Sequence, residues 1–389
     1  MATLLLAVIY LAFISLGLPD SLLGSGWPSM QIYFDVPSSY AGYVSMTICL
    51  MTVISSLLSA RLTKILTTKY VVIISIGLTI VGLLGFSFST KYWMLFIFAI
   101  PYGLGAGSID AALNNYVASN YSSRVMNFLH CFYGVGSSIS PAIMGLALKK
   151  AHWNEGYRWV AYIQIGILLV CILSIPLWKL NKNNNEEKEE TRVVKISEAI
   201  KIRGVIFALI SFFAYCAGES TCFLWTSSFF ASTKEGLSED LVASLGSLIF
   251  AGLMIGRLIA GFISNKVNDK TLIRGGVLIE LTGIIFISIP ISSIYLAIIG
   301  FLLIGIGMGP IYPSIQHLAP INFGKEASAT VIGMQMASAY IGSALTPTIF
   351  GLIQSSLSMW ALPIFLGIFM ILNIATIEIC FALSKKNKA

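Results

Sequence analysis

The chain has 389 residues, of which 57% are hydrophobic and only 11% charged, whereas soluble proteins carry roughly 25% charged residues. This composition excludes a soluble enzyme, and the length accommodates about twelve membrane-crossing helices of ~20 apolar residues each. A net charge of +7 could indicate a nucleic-acid partner, but the lysine and arginine residues lie in short segments between apolar runs, where they act as topology signals. The composition therefore predicts a multi-pass protein of the lipid bilayer and no nucleic-acid partner.

Twelve apolar runs predict an all-α membrane protein with two pseudo-symmetric bundles of six transmembrane helices. The runs cover residues 4–32, 38–60, 70–88, 92–119, 123–149, 157–179, 203–232, 238–264, 271–289, 293–318, 325–355 and 360–383. A long polar stretch after the sixth run predicts an N-terminal bundle over 1–179, a cytoplasmic linker over 180–202 and a C-terminal bundle over 203–389. Most lysine and arginine residues lie on the side of the termini, which predicts a cytoplasmic-membrane protein with both termini in the cytoplasm.

Similar motifs in the two halves indicate an internal repeat. The fourth run contains Gly103-Leu-Gly105-Ala-Gly107, and the tenth contains Gly305-Ile-Gly307-Met-Gly309. Residues 136–146 of the fifth run match residues 342–352 of the eleventh in the same way. Both matches relate a helix to the sixth helix after it, as expected for parallel repeats about an axis along the membrane normal.

Ionisable residues within membrane crossings are costly and often functional. Asp110 lies deep in the fourth run with Asn114 one helical turn further, so a carboxylate and an amide can serve the same sugar hydroxyls. Asp20 follows Pro19, which predicts an interruption of the first helix and makes Asp20 either a cap or a cavity carboxylate. Glu280, in the middle of the ninth run, is predicted to form a buried structural pair.

Polar and aromatic residues of helices 4, 5, 7, 10 and 11 are predicted to bind the substrate. Carbohydrate sites combine amide and carboxylate partners for hydroxyls with aromatic rings for C–H faces. The predicted set is Asn114, Asn115, Asn127, His130, Glu219, Trp225, Tyr312, Gln316 and Gln335. For His130, a satisfied core position is the alternative interpretation.

Arg257 and Lys266 lie at the cytoplasmic end of the eighth run, where we expect them to lock a conformation by pairing with carboxylates or helix C-termini. The sequence contains no Walker A, GxSxG or HExxH motif, and the glycines around Gly105 lie in an apolar helix. We therefore expect neither enzymatic activity nor a cofactor or metal site.

These features together resemble the major facilitator superfamily. Within it, Asp110-Ala-Ala-Leu-Asn114 and Asn127-Phe-Leu-His130 are similar to the fucose/proton symporter branch. That branch carries a helix 4 carboxylate with an asparagine four residues later, and a helix 1 carboxylate that Asp20 matches. The branch has glutamate where this chain has Asp110 and proline where it has Asn115.

The resemblance implies a secondary active transporter that moves a small polar solute, a monosaccharide, by alternating access. Asp20 and Asp110 would couple transport to protons, with sodium as the alternative ion because the branch also contains sodium-linked hexose carriers. A drug or metabolite exporter of the same fold is the alternative function, which an aromatic rather than a polar cavity would favour.

Overall fold

The computed structural model describes residues 2–20, 22–36, 40–150, 152–180, 194–234, 236–237, 245–246, 248–291 and 293–384. Within these ranges every extended regular element is a helix, which confirms the all-α prediction. The helices are α1 (Ala2–Asp20), α2 (Leu22–Phe34), α3 (Ala41–Phe88), α4 (Tyr92–Asn120), α5 (Ser123–Lys150), α6 (Trp153–Leu173), α7 (Ile175–Leu180), α8 (Ile196–Ala199), α9 (Val205–Thr233), α10 (Leu248–Ile263), α11 (Asp269–Ser288), α12 (Ile294–Met308), α13 (Ile311–His317), α14 (Ala319–Phe323), α15 (Lys325–Ser356) and α16 (Ala361–Ser384). Most of the predicted linker, residues 181–193, lies outside the described residues.

Ten segments of the described chain are long and apolar enough to cross a membrane. They include α3, α4 and α5, whose most apolar windows are packed in part against other helices and in part exposed. The large apolar side chains at the surface, such as Leu173 and Ile32, each 78% exposed, suit contact with lipid rather than water. The chain is therefore a multi-pass membrane protein.

Four predicted crossings have a helical organisation that the apolar runs alone do not specify. The second and third runs form one helical element, α3, which bends at Thr67, where φ is 66°. The tenth run is divided into α12 and α13 at Gly309 and Pro310, because proline has no backbone N–H for the helical ladder. In the first run, where Pro19 predicts an interruption, α1 contains Pro19 and ends at the next residue, Asp20, and α2 begins at Leu22.

The chain separates into two compact units. The first comprises residues 1–116 and 129–194, and the second comprises residues 117–128 and 195–389. The end of α4 and the beginning of α5 therefore belong to the second unit, together with α9 to α16.

The predicted glycine repeat brings helices into close contact in the first unit. A Cβ atom added to Gly103 or Gly107 would overlap the carbonyl oxygens of Ile48 or Thr52 in the first half of α3. A Cβ atom on Gly105 would lie 2.5 Å from the carbonyl oxygen of Ser75 in the second half of α3. One face of α4, with Gly103 and Gly107, thus packs against the first half of α3, and another face, with Gly105, packs against the second half.

The matching glycines of α12 make the corresponding contacts in the second unit. A Cβ atom on Gly305 would overlap the carbonyl oxygen of Ile249 in α10. A Cβ atom on Gly307 would lie 2.5 Å from the carbonyl oxygen of Gly276 in α11. The two glycine triplets therefore have the same structural role, as an internal repeat requires.

Candidate functional site

In the first unit, Asp110, Asn114 and His130 form a buried hydrogen-bonded chain. The Asn114 amide nitrogen donates to the carboxylate oxygen Oδ1 of Asp110 at 2.7 Å and to its backbone oxygen at 2.9 Å. This orientation leaves the Asn114 side-chain oxygen facing His130 Nε2 at 3.0 Å. Because an amide oxygen only accepts, the proton of that bond lies on Nε2. The predicted Asp110 and Asn114 pair thus forms, and His130 joins it from α5.

Packing supports the position of the histidine ring. Phe13 of α1 contacts His130 edge to face, with ring centroids 5.4 Å apart. Asp110, Asn114 and His130 are all less than 9% exposed. A proton acceptor, an amide and a titratable ring are therefore held together within the apolar part of the unit, where electrostatic interactions are strong.

Asp20 lies in a different environment from Asp110. It is solvent-exposed although it belongs to a membrane-crossing helix, and its Oδ2 accepts a hydrogen bond from the Tyr133 hydroxyl at 2.5 Å. Ser15, Thr79 and Tyr102 line the same small cavity as Asp20. The lining of this cavity is completed by Leu16, Pro19, Ile76, Ala106 and Ile109. The carboxylate therefore faces a small cavity of mixed polarity, and both interpretations of Asp20 stay predictions.

Asn115 and Asn127 are less closely tied to this chain of hydrogen bonds. Asn115 is half-buried beside Asn114 in α4. The amide nitrogen of Asn127 donates to the backbone oxygen of Ser123 at 3.0 Å, within the first turns of α5. Asn127 belongs to the second unit, so its predicted place beside His130 in the substrate site stays a prediction.

In the second unit, Glu219 is the centre of a polar cluster. The Tyr215 hydroxyl donates to Glu219 Oε1 at 2.8 Å and lies 3.1 Å from the backbone oxygen of Met308. Arg257 Nη2 lies 3.6 Å from the same Glu219 oxygen, and the arginine side chain is 4% exposed. Arg257 therefore pairs with a carboxylate as predicted, but with one that was assigned to the substrate site. Lys266, the second predicted lock residue, is exposed beyond the end of α10.

The other predicted ligands in this unit differ in how well their polar atoms are satisfied. Trp225 donates its indole N–H to the backbone oxygen of Pro347 at 3.0 Å, and the Tyr312 hydroxyl lies 3.3 Å from the sulfur of Met336. Gln316 is fully buried, and neither its amide nitrogen nor its amide oxygen has a hydrogen-bond partner in the described part of the chain. The side-chain oxygen of Gln335, 1% exposed, is also without one there.

Unsatisfied buried amides are rare because each lost hydrogen bond destabilises the fold by about 1–3 kcal/mol. Substrate hydroxyl groups that formed hydrogen bonds with the side chains of Gln316 and Gln335 would remove that penalty. Among the predicted substrate-binding residues of the second unit, these two glutamines are therefore the ones that the structure favours most as substrate contacts.

A second polar cluster in this unit was not predicted from the sequence. Ser123 donates to Asp269, whose other carboxylate oxygen lies 2.8 Å from His317 Nδ1. The remaining ring nitrogen of His317 lies 3.1 Å from the backbone oxygen of Tyr121. Both ring nitrogens thus face acceptors, which favours the doubly protonated imidazolium. Asp269 has only a local sequence signal, because it follows the helix cap Asn268 and resembles an ordinary first-turn acid.

The prediction of a buried pair for Glu280 is wrong. Glu280 is fully buried in α11, but neither of its carboxyl oxygens has a hydrogen-bond partner among the described residues. Arg257 of this unit pairs with Glu219 instead.

The family described as Major Facilitator Superfamily matches residues 9–347. Bypass of stop codon protein 6 of Saccharomyces cerevisiae is 21% identical over 388 residues, covering 90% of this chain and 77% of that protein. The glucose/mannose transporter GlcP of Bacillus subtilis is 25% identical over 281 residues, covering 68% of this chain and 67% of that protein. The crystal structure of the transporter FucP in the outward conformation has a TM-score of 0.79 at 15% identity, covering 95% of this chain and 97% of that one. At that identity the structural match shows the fold alone.

Proposed function

Because the chain belongs to the major facilitator superfamily of transporters, we propose that it moves a small polar solute, a monosaccharide, across the cytoplasmic membrane by alternating access. Proton symport drives the movement in this proposal. The buried amide of Gln316, which has no hydrogen-bond partner among the residues that the structure describes, is the observation that carries it, since burying an unpaired amide is costly in a static apolar core. The name of the similar glucose/mannose transporter supports a sugar as the substrate.

The proposed topology has twelve crossings in two bundles of six, over residues 1–179 and 203–389, joined by a cytoplasmic linker at 180–202. Ten apolar segments within the described ranges are long enough to span the bilayer. The bend of α3 at Thr67 supports counting that helix as two crossings. The shorter apolar helix α10, for which residues 248–263 are described, supports a twelfth. Both termini then lie in the cytoplasm, in agreement with the positive-inside rule.

In this proposal the substrate contacts come from both bundles. The first contributes Asn114, Asn115, Asn127 and His130, and the second contributes Glu219, Trp225, Tyr312, Gln316 and Gln335. Amides and the carboxylate bind hydroxyl groups, while the indole and phenol rings cover the apolar faces of a sugar.

Asp110 and Asp20 are the proposed proton-coupling acids. Asp110 is buried and bound to Asn114, which can pair with either protonation state of the carboxyl. Asp20 faces an accessible cavity, so it can exchange a proton with water directly. Arg257 and Lys266 are proposed to stabilise one conformation, with Glu219 as the carboxylate partner of Arg257. Sodium is the alternative coupling ion.

Counterflow in proteoliposomes tests the substrate class. The reconstituted protein should exchange at least one labelled hexose or pentose from a panel that also contains cationic drugs. Gln316→Ala should weaken sugar exchange by ~10-fold or more, since a lost hydrogen bond to substrate is worth about 1.5 kcal/mol. Gln354→Ala, near the end of α15, is the matched control and should exchange normally. Exchange of drugs but no sugar would support an exporter, for which the aromatic contact of Phe212 with Tyr312 at 4.7 Å is the favouring observation.

A further inference from the structure

Glu280 is a carboxyl group deep inside a membrane-crossing helix. It lies in α11 (Asp269–Ser288) at roughly 12–17 Å from either helix end, given 1.5 Å of rise per residue, which is too far for its side chain to reach water along the helix. It is fully buried, and neither carboxyl oxygen has a hydrogen-bond partner in the described part of the chain. A buried polar group of this kind needs an explanation.

Tight helix packing fixes the position of Glu280. At Gly307 of α12, an added Cβ atom would lie 2.5 Å from the backbone nitrogen of Glu280 and 2.8 Å from its Cβ atom. The two helices are thus in van der Waals contact at the backbone and Cβ atom of Glu280, and water has no room between them there. The ionised form of Glu280 would be strongly desolvated there.

Among the described residues, Glu219 is the carboxylate that pairs with Arg257, the cation of this cluster. Its Oε1 accepts a hydrogen bond from the Tyr215 hydroxyl at 2.8 Å and forms an ion pair with Arg257 Nη2 at 3.6 Å, and both contacts are stronger with an ionised carboxylate than with a neutral acid. Glu219 also interacts electrostatically with Glu280. Two carboxylates and one guanidinium would leave a net negative charge inside the membrane, whereas a protonated Glu280 leaves the cluster neutral.

The other charged or titratable groups near α11 do not change this balance. Cys222 of α9 interacts with both carboxyl groups but is a neutral thiol when buried. His317 of α13 is bound to Asp269. On α16, Glu378 forms a two-point ion pair with Arg274 of α11 at 2.6 and 2.7 Å.

We propose that Glu280 is a proton-binding site of the second unit, which holds a proton while Arg257 is paired with Glu219 and releases it when that pair separates. On release, the O–H bond breaks, the proton passes to water that enters the opened site, and the guanidinium of Arg257 compensates the new carboxylate. This inference goes beyond the proposed coupling through Asp20 and Asp110, and it does not depend on the identity of the substrate.

Infrared spectroscopy of the full-length protein in lipid vesicles tests the site directly. The carbonyl stretch of a protonated carboxyl group should be present at neutral pH, should disappear only at alkaline pH, and should be absent from Glu280→Gln. Glu378→Gln removes an exposed, ion-paired glutamate and should retain the band. If Glu280→Gln and the unmodified protein have the same protonated-carboxyl bands, Glu280 is ionised and the proposal fails.

Two further measurements apply if the glutamine variant is hard to produce or interpret. Glutamine and protonated glutamate are both neutral and similar in shape, so Glu280→Gln should unfold at the same temperature as the unmodified protein. A large fall in that temperature, or a variant that does not fold, would show that the carboxylate is needed. Glu219→Gln should release Arg257 to pair with Glu280 and remove the band at neutral pH, and a band that persists there would also contradict the proposal. Neither measurement uses sugar, so the outcome is independent of the counterflow assay.

Discussion

Replacing Asp110 with asparagine should uncouple transport while leaving the fold intact. In the structure, Asn114 Nδ2 donates to Asp110 Oδ1 at 2.7 Å. An asparagine side chain can turn its oxygen to accept the same bond, so only the charge assistance is lost. Hydrogen bonds to charged groups contribute ~1.5–3 kcal/mol and neutral ones ~0.5–1.5 kcal/mol, so the expected loss of stability is about 1 kcal/mol. The variant cannot exchange a proton at this position.

The expected functional effect is much larger than the structural one. A membrane potential of 100 mV supplies about 2.3 kcal/mol per transported charge. At 1.36 kcal/mol per factor of ten, one coupled proton therefore supports roughly 50-fold accumulation of a neutral sugar. Asp110→Asn should reduce that ratio to about one, while counterflow, which needs no net proton movement, should continue.

The accumulation ratio is measured as uptake of labelled sugar into proteoliposomes with an imposed potential and pH gradient. Counterflow is measured in the same preparation without the gradients. Asp35→Asn is the matched control, because Asp35 is exposed after α2 and has a φ of 52° that asparagine tolerates. It should accumulate sugar normally. If Asp110→Asn accumulates sugar with the normal pH dependence, Asp110 is not the coupling acid. A requirement for sodium in the unmodified protein would instead refute proton coupling.

Two further predictions concern packing and topology. Gly276→Ala should destabilise the protein by ~1–3 kcal/mol, because its Cβ atom would lie 2.5 Å from the backbone oxygen of Gly307. The neighbouring Gly275→Ala has open space around it and should be neutral or stabilising in thermal unfolding, so equal effects would argue against the close contact of α11 and α12. On intact cells, a membrane-impermeant thiol reagent should label Lys91→Cys but not Lys182→Cys, a position in the predicted linker outside the described residues, and the reverse pattern would invert the topology. Lys91 is a better outer reporter than Lys234, which is also predicted to lie outside but is buried and donates to the backbone oxygen of Ile291 at 2.5 Å.

Some features of the site could be predicted because they depend only on local geometry. The four-residue spacing of Asp110 and Asn114 places their side chains together on any α-helix, and the hydrogen bond between them forms. The same spacing brings Tyr215 to Glu219. The apolar runs also determine the membrane class, since the free energy of crossing a bilayer depends on the length and composition of each run rather than on its neighbours.

Other features depend on how the helices are rotated and packed, which periodicity alone does not specify. The cluster of Asp269 with His317 joins residues 48 positions apart in the sequence. Helix packing also explains why, in the described part of the chain, Glu219 is paired with an arginine whereas Glu280 is not. Arg257 pairs with Glu219, whereas the backbone and Cβ atom of Glu280 pack against Gly307 and its carboxyl oxygens have no hydrogen-bond partner among the described residues. The sequence by itself thus determined the membrane class, the glycine repeat and the local polar pairs, whereas only the tertiary structure decided which buried charges are neutralised, because that depends on contacts between helices distant in the chain.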